Sequence, residues 1–428
     1  MLLPVLLLLL LVSRTQAPHF YGTIMTYYSN ETPADGSVSV ILRYKLNYVS
    51  CGYSQSWVCN GNCGTATQSL SVQDVDQSSD WCQREGIVTR LVPNNSPLQL
   101  VLASSSWPTN INKIISWRAV TNVELRKRSD NNKPNTSPQT TILSVMRVPS
   151  NCQRNINLLA FDPDGDEVKC RYGNDSLSEC NPCTPPSVLS LSSSCTLSFT
   201  PTTTNNTETY AVQLVMEDFP KQTINLTHTN GSQEVKTTND AISKIPVQFL
   251  LKVVPSIPFC TEGLYLPRFL PPTPDNRAQI IAKVNQTVEI PIMAEATQST
   301  ITELLFSGPY NVVKSTSGSG SFTLKWTPSN QESGQSHSIC FVVQASYSSI
   351  LYQSELRCVA VLIDPPPPRF VYFLNLKIST TMSLEKNKEI IEKLIKDELI
   401  KRGLPSHISV SLLSNGSVKV STTAPPSG

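Results

Sequence analysis

The chain is short of charge, of histidine and of helical periodicity. Only 15% of its 428 residues are charged and they nearly cancel, to a formal +2, so there is no basic field for nucleic acid or an anionic membrane. The four histidines, His19, His228, His337 and His407, have no metal-ligand spacing, and none adjoins a nucleophile motif. "GSGS" at residues 318–321 lacks the helix and lysine that follow a phosphate-cradling loop. Beyond residue 17 no segment strings together the roughly eighteen apolar residues of a spanning helix, and the closing "STTAPPSG" has no apolar tail of the lipid-anchor kind. Amphipathic helical spacing is absent before residue 383. These shortages argue against catalysis, nucleic-acid binding and membrane spanning.

What is abundant points outward. "MLLPVLLLLLLVSRTQA", residues 1–17, has the short apolar run of a secretion signal, with a cut expected after Ala17. Twelve cysteines, an even number, suit an oxidising destination. Asn30, Asn94, Asn135, Asn174, Asn205, Asn225, Asn230, Asn285 and Asn415 each open an Asn-x-Ser/Thr triplet and are expected glycosylation sites. The expected location is extracellular.

Short alternating apolar runs such as "SVSVILRYKL" (37–46) and "YAVQLVMEDF" (210–219) are separated by turn residues, the pattern of half-buried strands. Residues 18–138 are expected to form a β domain rich in cysteine and tryptophan, with Trp57, Trp81, Trp107 and Trp117 as core. Residues 139–255 and 256–364 look like distant copies of one another. "LSFTP" answers "LKWTP", "YAVQLV" answers "SICFVV", "VQFLLKV" answers "CVAVLID" and "INLLAFD" answers "VEIPIMAEA". The order suggests tandem β-sandwiches of about 100 residues each, the size of immunoglobulin-like and cadherin-like modules. "DPPPP" at 364–368 is a stiff spacer into a different texture over residues 365–428. There, Leu384, Ile391, Ile395 and Leu399 form a helical stripe with Ile390 and Leu394 beside it, capped at Ser383 and ended by Gly403 and Pro405. A strand precedes it, and a hairpin turning at Asn415-Gly416 follows. The fold class expected is therefore mainly β, with a small C-terminal α/β segment.

Two resemblances add to this. Over residues 115–365, "ISWRAVTNVELRKRSD", "DPDGDEVKCRYG", "CTLSF" and "RCVAV" resemble a broad group of secreted or surface proteins of fish and invertebrates with cadherin-like or immunoglobulin-like modules. The resemblance implies architecture and location but carries no activity. Over residues 370–422, strand, helix and "LLSNGSVKV" resemble the first part of a SEA domain, a ferredoxin-like module of extracellular glycoproteins, some of which break their own backbone at a Gly-Ser bond. The matching pair is Gly416-Ser417, but Lys419 interrupts the apolar run and no second helix or fourth strand follows. No self-cleavage is expected, and the chain is expected to be a truncated form of a longer relative.

The densest chemistry is "FDPDGDEVKC" (161–170). Asp162, Asp164 and Asp166 alternate around Gly165, and with Asp218 from "VQLVMED" they make a candidate calcium site, because hard carboxylate oxygens suit that ion. The same residues are also ordinary turn formers. "CNPC" (180–183) has redox spacing but no βαβ context, and is expected to be structural. Cys340 and Cys358 are expected to pair, and odd cysteine counts on either side of residue 255 imply one bridge across that boundary. "RKRS" (126–129) is expected to be an exposed strand edge. The expected function is that of a secreted multi-domain glycoprotein in adhesion, extracellular matrix or recognition, binding an extracellular protein or glycan without catalysis. The alternatives are a soluble binding form of a membrane-anchored protein and, third, an extracellular hydrolase.

Overall fold

A run such as "SKIPVQFLLKVV" has no polar alternation, and a strand of that kind is stable only with both faces covered. In the computed structural model, which describes residues 19–30, 36–78, 80–364, 370–374, 387–402, 408–412 and 418–422, this run is the strand Ser243–Val254, and ten of its twelve residues are buried. It pairs along its whole length with Glu208–Phe219, antiparallel, from Glu208 opposite Val253 to Asp218 opposite Ser243. Its other edge takes Val145–Pro149 in parallel, Phe20–Asn30 at Ile24 opposite Val247, and Ser116–Val123 at Lys244 opposite Asn122. The result is an eleven-stranded sheet that continues through Val38–Tyr48, Trp81–Val92 and Thr65–Ser78 on one side and Leu98–Ser105 on the other. One sheet thus runs across residue 138, where the sequence suggested a boundary.

Residues 256–364 form two further sheets. Val288–Glu295, Ser321–Trp326, Val313–Gly318 and Arg268–Leu270 make one. Ala278–Ala282, Arg357–Ile363, Ser336–Tyr347, Thr300–Ser307 and Ile350–Gln353 make the other. Alternate residues of both meet in a single core: Ile290, Ile292, Phe322 and Trp326 from the first, Leu304, Phe341, Val343 and Val361 from the second. This is a β-sandwich. The internal resemblance between residues 139–255 and 256–364 extends to strand pairing. "LSF" pairs with Arg154–Asn157 as "LKW" pairs with Val288–Glu295. In each half the last strand pairs antiparallel with the one matched before it and parallel with a strand near the half's start. The molecule is mainly β, as the alternation implied.

The cores do not stop at the expected boundaries. One apolar cluster joins Phe20, Trp81, Trp107 and Trp117 of the first region, Val212, Leu214 and Phe249 of the second, and Leu305, Val342 and Leu356 of the third. Phe20 stacks on Trp117 at 4.4 Å and meets Trp107 edge-on at 5.1 Å, while Trp57 is partly buried against the same cluster.

Chain contacts divide the molecule into two units, Met1–Asp364 and Pro365–Gly428. In the second, Phe370–Leu374, Val418–Thr422 and Ser409–Leu412 form a three-stranded antiparallel sheet in that spatial order, with a helix Lys388–Lys401. Ile391, Ile395 and Leu399 face its small core with Val418 and Val420, and Ile390 and Leu394 are exposed. The signal segment, the cap Ser383, Leu384, the stop Gly403 and Pro405, and the turn at Asn415, Gly416 and Ser417 lie outside the described residues.

Six disulfides use all twelve cysteines: Cys51–Cys82, Cys59–Cys63, Cys152–Cys260, Cys170–Cys195, Cys180–Cys183 and Cys340–Cys358. Cys340 and Cys358 face each other directly in the antiparallel pair, and the short strand Ile350–Gln353 takes the other half of Ser336–Tyr347. Cys152–Cys260 ties the second region to the third across 108 residues of chain. Closing a loop of that length removes denatured-state entropy worth about 4 to 5 kcal/mol. Replacing both cysteines by serine should therefore lower the unfolding free energy by about 4 kcal/mol, measured as a lower denaturant midpoint, while removing Cys59–Cys63, a loop of four residues, should cost much less. Equal losses would contradict the loop-length account.

Candidate functional site

The DPDGD turn is built by its first aspartate. Asp162 Oδ1 accepts from the backbone N–H of Asp164 at 2.9 Å and of Asp166 at 3.0 Å, and its carbonyl accepts from Gly165 at 3.2 Å. Gly165 sits at φ +84°, a conformation that penalises any Cβ. The turn feeds the strand Glu167–Tyr172, whose register sets Val168 opposite Asp218. Carboxylate oxygens of Asp162, Asp166 and Asp218 consequently lie within 4.8 Å of one another.

Asp164 points away from that convergence. Its Oδ2 accepts from Thr136 N–H at 2.7 Å and its Oδ1 from the Asn131 amide at 3.3 Å. The four-aspartate candidate is corrected to three, because a tight turn splays successive side chains where an extended strand would align them. Glu217, the neighbour of Asp218, lies on the opposite strand face and pairs with Arg171 at 2.8 Å and Lys244 at 3.1 Å.

Arg128 is the residue that sequence reasoning missed. The expected exposed edge at "RKRS" is also corrected: Arg126 and Arg128 are buried, and Arg128 has a fully enclosed side chain. Its guanidinium grips Asp166 with both terminal nitrogens, one of these bonds measuring 2.8 Å to Oδ1, and holds Asp130 through Nε at 3.0 Å and Nη2 at 2.8 Å. It also donates to Asn135 Oδ1 at 2.6 Å, and Asn135 in turn donates to Asp218 Oδ2 at 2.7 Å. Asp218 Oδ1 accepts from the N–H and hydroxyl of Ser243 at 2.9 and 2.6 Å. The run "TNVELRKR" reads in sequence as a strand edge; in the structure the strand ends at Val123 and a two-residue strand, Lys127–Arg128, follows.

Five carboxyl groups, Asp130, Asp162, Asp164, Asp166 and Asp218, thus cluster around a guanidinium that pairs directly with Asp130 and Asp166, lies 3.8 Å from Asp164 and reaches Asp218 only through Asn135. Burial pushes the Asp162 carboxyl well above the usual range, and the charges of Asp218, Asp164 and Asp166 push it further. Asp218 is pushed up to about 6, mainly by burial, against the pull of its Ser243 and Asn135 hydrogen bonds. Asp162 Oδ2 is buried and has no partner among the described residues. An unpaired buried oxygen is costly, and excess negative charge in a dry pocket calls for a cation or a proton. Asp162 Oδ2, Asp166 and Asp218 are the oxygens that fit a hard divalent ion, which takes six to eight of them, some from water.

Asn135 is fully buried within this network, with no accessible surface. A glycan has no room there, which removes Asn135 from the nine sequon sites. Asn174, Asn205, Asn230 and Asn285 are exposed, and Asn94 and Asn225 half-buried. Asn30 lies in a strand whose side chain there is not described, and Asn415 lies outside the described residues.

A second polar cluster joins the first region to the third. Lys45 Nζ meets Glu85 at 2.7 Å and Gly308 O; Arg43 reaches Glu85 at 3.0 Å and Glu332 at 3.3 Å; Tyr310 N–H donates to Glu85 at 3.0 Å. His337 lies against the Trp326 ring, its Nε2 without a hydrogen-bond partner among the described residues and 4.0 Å from Glu332. Burial drives its pKa well below 6.5, and Arg43 and Lys45 repel a proton further.

No protein-family model matches the chain, and no curated protein does. Among solved structures, the human desmocollin-1 ectodomain aligns with 79% of this chain and 60% of its own at 13% identity and a TM-score of 0.19. Human protocadherin-24 EC1-2 aligns with 54% and 99% at 11% identity and 0.16, and sidekick-1 immunoglobulin domains 1–4 with 92% and 91% at 11% and 0.16. Superpositions this loose establish no shared arrangement of the whole chain, and no function follows from them.

The His337 cluster yields a pH dependence. A depressed folded-state pKa means that the unfolded chain takes up a proton first, so the stability contributed by neutral His337 is intact above about pH 6.5 and is lost as pH falls below it. Between about pH 7.5 and 5 the raised carboxyls of Asp162 and Asp218 act in the opposite sense, so the denaturant midpoint of the wild type should fall relative to that of His337→Gln, which keeps those carboxyls. A variant that follows the wild type over this range would contradict the assignment.

Proposed function

We propose that this chain is an extracellular adhesion or recognition protein that works through its surfaces and not through catalysis. The observation that carries the reading is mechanical. The first two sequence regions share one sheet, all three share one apolar core, and all twelve cysteines are consumed in bridges, which suits an oxidising exterior and a fixed display of exposed faces. The exposed sequons would add sugar to those faces. The binding test is capture by the intact glycosylated protein on cells or beads: saturable, competable binding is expected, and its absence across cell types, or turnover of a substrate by the purified protein, would overturn the reading.

In the same proposal Asp162, Asp166 and Asp218 hold calcium. The ion would fill the orphaned position beside Asp162 Oδ2 and offset carboxylates that Arg128 alone does not balance. At an affinity of about 1 mM, addition of about 10 mM calcium should raise unfolding free energy by about 1.4 kcal/mol. Asp162→Asn keeps the Oδ1 acceptor of the turn and should abolish the increment. A wild-type protein whose melting temperature is the same in calcium and in chelator retires the ion.

A further inference from the structure

An open groove of about 660 Å³ lies where Val38–Tyr48, Thr65–Ser78 and Trp81–Val92 meet the third region. Ile41, Leu70 and Ile87, all half-buried, form an apolar floor, and Tyr310 supplies a half-buried ring. The charges beneath it cancel: Arg43 and Lys45 are matched by Glu85 and Glu332 through the ion pairs already described. The remaining wall is neutral and offers hydrogen bonds. The side chains of Gln68, Ser69, Thr89 and Gln331 have no partner among the described residues, and Asn311 accepts from Trp326 Nε1 at 2.8 Å while its amide donors remain free.

We propose that this groove binds a neutral oligosaccharide. A sugar ring has an apolar face for the Ile41, Ile87 and Tyr310 surfaces and an equatorial rim of hydroxyls for the amides and hydroxyls around them. An apolar ligand would strand those polar groups without partners. An anionic one would find only Arg43, already committed to two carboxylates. The volume falls within the range of about 300 to 1,000 Å³ typical of ligand sites.

Such a chain has two sources. One is another molecule's glycan. The other is the protein's own: Asn285 opens an exposed sequon, and its side-chain amide donates at 3.1 Å to Asn330, which sits between the groove residues Ser329 and Gln331. A glycan attached at Asn285 therefore starts within a residue or two of the groove rim. The proposal supplies a ligand class for the recognition reading and rests on it only in that respect.

The test titrates the secreted full-length protein and its Asn285→Gln variant with N,N′-diacetylchitobiose and a panel of neutral oligosaccharides. Binding by both proteins assigns the groove to an outside glycan; binding only after Asn285→Gln assigns it to the chain's own. In either case Gln68→Ala and Tyr310→Ala should weaken binding about tenfold, with Tyr310→Phe retaining the ring contact should alanine disturb the fold. Binding by neither protein, or binding indifferent to Gln68→Ala and Tyr310→Ala, overturns the groove. A Gln68→Ala protein that loses the sugar yet is still captured by cells separates the two readings, since recognition then stands on other surfaces.

Discussion

The strand Ser243–Val254 is the constraint on which the rest depends. It is paired on both edges and covered on both faces, so its register is doubly determined: a shift of one residue would turn Val247, Phe249 and Leu251 out of one core layer and break the ladder with Glu208–Phe219. That register places Ser243 opposite Asp218, where its backbone N–H and hydroxyl hold the carboxylate. The same strand receives the first region at Ile24 and the second at Leu250. Packing of an apolar run and positioning of an acidic site are thus one event.

The acidic site illustrates how buried charge behaves. A single guanidinium serving Asp166 and Asp130 satisfies part of the cluster, and donors from Thr136, Asn131, Asn135 and Ser243 satisfy most remaining oxygens. Hydrogen bonds of this kind stabilise the charged form, while burial opposes it. For Asp130, burial is outweighed by the hydrogen bonds and charge of Arg128, and the carboxyl is held below its usual range. For Asp162 no such donor reaches Oδ2, and burial prevails. The contrast between the two aspartates follows from both depth and donors: Asp162 is buried with one oxygen unpartnered among the described residues, whereas Asp130 is exposed and held by Arg128.

Much of the fold was legible because it is written locally. Alternation in "SVSVILRYKL" and continuity in "VQFLLKV" are read from adjacent residues, and Ile391, Ile395 and Leu399 lie four apart on the helix they bury. The even cysteine count led to bridges for the same reason: it concerns composition, not partners. What stayed hidden is partner choice over distance. Arg128 reaches Asp166 across 38 residues and Asn135 reaches Asp218 across 83, separations over which no spacing rule operates. Hence a sequon was read as surface and a basic cluster as an edge. Asp164 was misplaced for a narrower reason, since alternation implies a shared face only in extended backbone.

The junction between the first and third regions shows why polar contacts sit where a larger apolar patch would have been simpler. Apolar surfaces slide at little cost, because burial is nearly indifferent to small translations. A buried pair such as Lys45 and Glu85 is not, since separating it leaves an uncompensated charge at a cost of about 3 to 5 kcal/mol. Asp76 adds a second pin by holding Lys314 at 2.9 Å and the backbone N–H of Phe306 at 2.9 Å, and Asp80 ties the first region to the second by accepting Arg147 at 2.8 Å and also Lys252. Together with Cys152–Cys260 these contacts define one relative position of the regions instead of a range. A groove walled by two regions keeps its shape only under that condition, so the ion pairs that contribute little net stability are the ones that fix its geometry.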